Sequence, residues 1–194
     1  MAGLVYLTRH ALTEANRRRV RAGLTNISLV PEGHQQAVRL AARLRTAGIE
    51  HVWTSPLRRA VETADIIARA LHVPITEEPG LIEIDVGPWE GLGDDDVAKR
   101  FPDEYAVWRT RPSMLRMPGH ESLASVRARA VPVVDRLLER EAPSLCVSHL
   151  GVLRVLYLHY AGRSLDEYGT VHIGHCQLLC IRRARDGWSV DLLS

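Results

Sequence analysis

Lysine is almost missing from this chain. Lys99 is the only one in 194 residues, so the positive charge is carried by arginine, whose planar fork suits anions with paired oxygens. A surplus of charge is missing too. The net charge of +2 argues against nucleic acid or an anionic membrane surface as partner. No apolar stretch approaches the length of a membrane span. The start, from Met1 to Arg9, lacks a basic region followed by a long apolar run, so no signal peptide is expected and the cytoplasm is the expected location. Cysteine is scarce and odd in number. Cys146, Cys176 and Cys180 lie in apolar segments, which excludes a disulfide framework and reads as buried thiols. Cys176 and Cys180 with His172 or His175 would offer metal ligands, but that segment alternates like a strand, and no metal or other cofactor is expected. Repeats, low-complexity tracts and Pro/Gly/Ser-rich linkers are absent, so residues 1–194 read as one domain.

What is present alternates between two periodicities. Gly3 to Thr8 is a short apolar run, expected to be a buried strand. Ala37, Leu40, Ala41 and Leu44 recur at helical spacing within Gly33 to Ala47, and Gly48 follows as a stop. His51 to Thr54 reads as a strand, the stripe from Leu57 to Leu71 as a helix, and Val73 to Thr76 as a third strand. Residues 80–121 are rich in Gly, Pro, Trp and acids, and read as an excursion with short helices over Asp94 to Arg100 and Glu104 to Thr110. A helix is expected over Ser122 to Glu141, a strand over Ser144 to Ser148 and a helix over Leu150 to Tyr160. Closing strands are expected over Gln177 to Ile181 and Ser189 to Leu192. Such alternation predicts an α/β fold, a three-layer α/β/α sandwich around a mainly parallel sheet. Ligands of such sheets bind past the carboxyl ends of the strands.

Those ends carry a recurring chemistry. The first strand runs into Arg9-His10, the second into Ser55-Pro56 with Arg58 and Arg59 just beyond, and the late strand into His149. Two histidines and two or more arginines converging on one pocket suit a phosphate dianion: arginine donates to paired oxygens, and imidazole serves as donor or nucleophile.

Six ordered blocks then resemble the histidine phosphatase superfamily, the phosphoglycerate-mutase-like proteins. They are Leu7 to Asn16, Gly23 to Gly33, Thr54 to Ala64, Leu81 to Gly91, Pro118 to Ser122 and Val147 to Arg154, and the likeness runs from residue 4 to about residue 182. The resemblance implies that His10 is the nucleophile, that Glu83 is the general acid and that a protonated His149 stabilises charge. It further implies that Arg9, Thr13, Asn16, Arg59 and the backbone of Leu150 bind the phosphoryl oxygens. The implied activity is metal-independent hydrolysis of small-molecule phosphate monoesters. A phosphoglycerate-type mutase and a non-catalytic phosphate-binding protein are the alternatives. At 194 residues the chain resembles the shorter phosphatase branch. No nucleic acid or membrane partner is implied, and a homodimer is left open.

Three positions depart from the family pattern. Ala11 and Leu150 stand where glycine is usual, and Leu12 stands where a polar residue is usual. Ala11 requires a backbone that tolerates a Cβ. Asp85 and Glu90 are the alternatives to Glu83. Arg58 reads as a solvated helix residue. Arg17, Arg18, Arg19 and Arg21 read as an exposed face, with help in binding a second anionic group as the alternative. Trp89, Tyr105, Trp108 and Met114 read as packing, with a substrate cap as the alternative, and His120 is divided in the same way.

Overall fold

The computed structural model describes residues 3–185 and 187–193; Met1 and Ala2, part of the start read for a signal peptide, lie outside the described residues. Strand β1 (Leu4–Arg9), helix α1 (Glu14–Arg17), helix α2 (Pro31–Leu44), strand β2 (His51–Thr54), helix α3 (Arg58–Leu71) and strand β3 (Ile75–Glu77) form the first half. The excursion follows, with helices α4 (Asp94–Arg100) and α5 (Pro102–Thr110) among short 3-10 turns. Helix α6 (Leu123–Leu138), strand β4 (Ser144–Ser148), helix α7 (Leu150–Tyr160) and the hairpin β5 (Leu178–Ala184) and β6 (Gly187–Leu193) complete the chain.

The six strands lie in the order β3-β2-β4-β1-β5-β6. β1, β2, β3 and β4 are mutually parallel, whereas β5 runs antiparallel to β1, and β6 to β5. β4 is buried along its whole length, as a central strand covered on both faces must be. Alternate residues of the strands feed two cores. Val5, Leu7 and Cys146 pack with α6 and α7, and Val52, Leu145 and Val147 pack with α2 and α3. The expected sandwich is thus formed. Cys146, Cys176 and Cys180 are free and buried.

Boundaries shift where local signals compete. β3 begins two residues later than expected, because Ile75 is the residue that pairs with Val52. α2 begins at Pro31, whose fixed φ and missing N–H suit a first helical position. α6 continues through Pro132, its buried stripe of Val126, Ala130, Val133 and Leu137 holding it on the core. Helix α5 starts at Pro102 rather than Glu104. The excursion has a small core of its own, with Trp89, Val97 and Leu115 buried against Phe101, Tyr105 and Trp108. Among the described residues no helix is long and apolar enough to cross a membrane.

Candidate active site

Strand register assembles the site. Arg9 lies opposite Ser148 in the β1–β4 ladder, and Thr54 lies opposite Val147 in the β2–β4 ladder. The residues that follow, His10, His149 and Ser55, therefore leave the sheet side by side. The His10 and His149 ring centroids are 5.2 Å apart. They stand at the base of a cavity of about 630 Å³ whose wall includes Arg9, His10, Thr13, Asn16, Arg59, Glu83 and Leu150. His149 is fully buried and supports the floor from behind rather than lining the wall.

His10 is held in one tautomer. Its Nδ1 lies 2.7 Å from the carbonyl of Ala11, which can only accept, so Nδ1 carries the proton and Nε2 keeps its lone pair. Burial, and then Arg59 and Arg9, push its pKa well below the ordinary imidazole range, so the ring is neutral. The backbone around it is fixed on all sides. His10 N–H donates to the Ser148 carbonyl at 2.9 Å, and Cys176 N–H to the Arg9 carbonyl at 3.0 Å. Ala11 N–H donates to Thr63 Oγ1 at 3.0 Å, and His175 Nδ1 to the His10 carbonyl at 3.1 Å. Cys176 reaches its position with a left-handed φ of 56°, a conformation uncommon for a residue with a side chain.

His149 is expected to carry charge beside a bound phosphate, and its surroundings in the structure favour the neutral ring. Arg59 Nε donates to its Nδ1 at 3.2 Å, so that nitrogen is an acceptor, and its Nε2 is 2.7 Å from Ser55 Oγ. Burial, Arg59 and then His10 press its pKa well below the ordinary range, and the ring is neutral. With Nδ1 accepting, the neutral ring carries its proton on Nε2 and donates it to Ser55 Oγ.

The two arginines are unlike each other. Arg59 is buried and makes four hydrogen bonds through all three nitrogens, to His149 and to the carbonyls of Thr25, Ala22 and Gly23. It fixes the 22–25 loop and adds positive charge at the floor. Arg9 makes one long bond, 3.4 Å from Nη1 to the Ile173 carbonyl, and its buried Nε has no partner. Burial lowers its pKa to about 10, which still leaves it charged, with donors free for an anion. Asn16 is oriented by a capping box: its Oδ1 accepts from Thr13 N at 3.1 Å and Thr13 Oγ1 at 2.8 Å, which turns the Nδ2 donors away from the cap. α7 begins at Leu150, so its first-turn amides and the positive end of its dipole face the same floor.

Glu83 lies on the wall. Its Oε1 accepts from Ile84 N at 2.9 Å and its Oε2 from Gly151 N at 3.4 Å. Burial raises its pKa, and outweighs those amides and the pull of Arg59 and Arg9. Its rivals are engaged elsewhere. Glu90 accepts from Gly23 N at 2.9 Å and Thr25 Oγ1 at 2.5 Å, and Asp85 caps Gly87 N at 2.9 Å. Gly151, which the sequence reading passed over, is needed here. A Cβ on it would stand 2.5 Å from Glu83 Oε1 and 2.6 Å from Ile84 Cδ1.

The departures are accommodated. Ala11 avoids the left-handed region, and its methyl is buried in the α2–α3 core. Leu12 is held by its backbone, its N–H donating to Gln36 Oε1 at 2.9 Å. Leu150 places its side chain on the cavity wall and against the α6–α7 core. The arginine cluster divides. Arg17 pairs with Glu14 and Glu32, while Arg19 and Arg21 line the cavity, Arg21 bound to Asp94 at 2.5 Å. Arg58 is exposed and pairs with Glu62 at 2.8 Å. Tyr105 and Trp108 line the cavity, Trp89 is buried beneath them and Met114 is exposed. His120 packs edge-on against Trp89 and Trp108.

Comparison with known proteins agrees with this geometry. The family described as "Histidine phosphatase superfamily (branch 1)" matches residues 5–194. Phosphoserine phosphatase 1 of Hydrogenobacter thermophilus is 32% identical over 164 residues, covering 84% of this chain and 78% of that protein. The 6-phosphofructo-2-kinase/fructose-2,6-bisphosphatase 1 of Rattus norvegicus is 33% identical over 165 residues, 84% of this chain but 34% of that protein. Among solved structures, YhfR of Bacillus stearothermophilus has a TM-score of 0.89 at 28% identity, over 97% of this chain and 95% of that one. A mycobacterial glucosyl-3-phosphoglycerate phosphatase has a TM-score of 0.89 at 23% identity, over 100% and 99%, a likeness of fold alone.

Proposed function

The chain belongs to the histidine phosphatase superfamily, and from that premise we propose that it hydrolyses small-molecule phosphate monoesters, without a metal, through a phosphohistidine on His10. The observation that carries the reading is the setting of His10 at the floor of the cavity: it is buried, and its Nδ1 is bonded to the Ala11 carbonyl, which leaves Nε2 as the attacking nitrogen. An imidazole held this way is ready to attack without first losing a proton.

In the first half-reaction Nε2 of His10 attacks phosphorus and the ester P–O bond breaks. Glu83, whose raised pKa favours the protonated form, gives its proton to the leaving alkoxide. Arg9, the Asn16 amide and the first amides of α7 take the charge that builds on the phosphoryl oxygens, with Arg59 and His149 holding the floor behind them. The Nδ1–H bond to the Ala11 carbonyl stabilises the cationic phosphohistidine ring. In the second half-reaction ionised Glu83 takes a proton from water, the water oxygen bonds to phosphorus, and the P–N bond breaks. Inorganic phosphate leaves and His10 is neutral again. The activities of the phosphatases named above support this class of reaction and do not name the substrate of this chain.

Turnover of p-nitrophenyl phosphate in excess chelator tests the reading. Activity should persist in chelator and vanish in His10→Ala. Loss on chelation with recovery on adding one metal, or activity that survives His10→Ala, would overturn it.

A further inference from the structure

The general acid stands on irregular backbone. Residues 82–85 belong to no helix or strand, yet a carboxyl that must meet a leaving oxygen needs a fixed anchor. The anchor comes from α6 and from the residues that lead into it. Arg129 of α6 donates from Nη1 to the Gly80 carbonyl at 2.9 Å and from Nη2 to the Glu83 carbonyl at 3.2 Å. Its Nε and Nη2 also grip Glu121, at 2.8 Å to Oε1 and 2.9 Å to Oε2. Glu121 N–H donates in turn to the Asp85 carbonyl at 2.7 Å, and His120 bridges Val86. Gly80 lies so close to α6 that a Cβ on it would stand 2.7 Å from the Arg129 carbonyl oxygen. The carbonyls of residues 80, 83 and 85 are thus held from one side. Glu83 is fixed twice, its carboxyl by the amides of Ile84 and Gly151 and its carbonyl by Arg129.

The charge of this clamp matters as much as its shape. A bare guanidinium behind Glu83 would favour the carboxylate, the wrong form for an acid. Arg59 of α3 and Arg9 of β1 already pull that way, as do the two amides, and burial outweighs them. Of the other groups near it, Tyr168 is neutral, its pKa raised to about 12 by burial and then by Glu83 itself, and Asp85 is turned to Gly87 N. Arg129 is near enough to the floor to be felt by His149. Glu121 answers it with both oxygens, the two side chains being only 22% and 19% exposed. The fork-to-fork pair therefore holds the carbonyl while carrying no net charge.

We propose that Arg129 and Glu121 are positioning residues for the general acid: Arg129 fixes the backbone of Glu83, and Glu121 cancels the charge which that requires. This rests on Glu83 being the acid. It gives a task to the block Pro118 to Ser122, none of whose residues lines the cavity wall.

The test reads phosphorylation of the full chain by glycerol 3-phosphate and by p-nitrophenyl phosphate, in single turnovers across pH. Glu121→Gln removes a negative charge and leaves Arg129 bare, so the alkaline limb for glycerol 3-phosphate should move down by about half a pH unit. Arg129→Gln leaves Glu121 bare, and its limb should move up by about as much. Its plateau rate on glycerol 3-phosphate should fall about tenfold, and that on p-nitrophenyl phosphate far less. The double variant should restore the wild-type limb but not the rate, since nothing then holds the carbonyl. Arg129→Lys, which keeps the charge, should leave the limb in place and recover part of the rate. Glu121→Gln and Arg129→Lys decide the matter if Arg129→Gln does not fold. Limbs that stay in place or move together in Glu121→Gln and Arg129→Gln, or equal loss on both esters, would overturn the proposal. An alkaline limb that persists in Glu83→Gln would instead overturn the acid reading beneath it.

Discussion

The floor and the mouth of the cavity are built on opposite plans. At the floor the ring nitrogens of His149, the three nitrogens of Arg59, the Nδ1 of His10 and both oxygens of Glu83 are tied to backbone or to each other. At the mouth Arg19 and Arg109 stand exposed, and the excursion that carries Arg109 packs on a small core of its own. The difference assigns them separate tasks. A floor fixed before substrate arrives needs little reorganisation in the transition state. A mouth of long, solvated side chains selects by charge, and it can vary without disturbing the chemistry below.

Changes at the floor should therefore break turnover, and changes at the mouth only affinity. His10→Ala is expected to have the largest effect, a loss of kcat by roughly three orders of magnitude or more, since it removes the attacking nitrogen. In the phosphorylation step, read in a single turnover, Glu83→Gln should slow alkyl esters by about two orders of magnitude and p-nitrophenyl phosphate far less, because a nitrophenolate leaves without a proton. The same contrast appears in pH. Alkyl ester turnover should fall on the alkaline side as Glu83 loses its proton above its raised pKa, and the Gln variant should lack that limb in a pH–rate profile. Equal damage to both ester types in that step would move the acid elsewhere. Gly151→Ala should reproduce the leaving-group pattern more weakly, about tenfold on alkyl esters, since its methyl displaces Glu83 without removing it. Smaller again is an effect on stability. His10, His149 and His175 have folded pKa values below the unfolded one, His175 at about 4, so the unfolded chain takes up protons first as pH falls. Their contribution is complete above about pH 6.5 and is lost below it, so urea midpoints should be lower at pH 5.5 than at pH 7.5. The smallest change is expected at the mouth. Arg19→Gln or Arg109→Gln should raise KM for anionic substrates by a few-fold, with kcat unchanged and the effect fading in salt.

The sequence revealed the floor better than the mouth. Strand ends and helical stripes come from local periodicity, so the α/β sandwich and the placing of Arg9, His10, Arg59 and His149 at one edge of the sheet were legible in it. Nothing local marks Ser55 as the partner of His149, Thr63 as the support of Ala11, or His175 as the support of His10, since 94, 52 and 165 residues separate those pairs. Nor does anything local mark His149 Nδ1 as an acceptor, a role set by Arg59, 90 residues away. In the excursion both short helices were legible, and only the start of α5, at Pro102, lay two residues earlier.

The central claim is that His10 carries the phosphoryl group between the two half-reactions, and trapping that intermediate tests it most directly. Brief mixing with a 32P-labelled monoester, quenching in denaturant at alkaline pH and peptide mapping should find label on His10, stable in base and released in acid. The label should be absent from His10→Ala, and it should accumulate in Glu83→Gln with an activated aryl ester, where loss of the base slows the second half-reaction. Label on a serine or another residue, or none under conditions where turnover is limited by hydrolysis of the intermediate, would contradict the account.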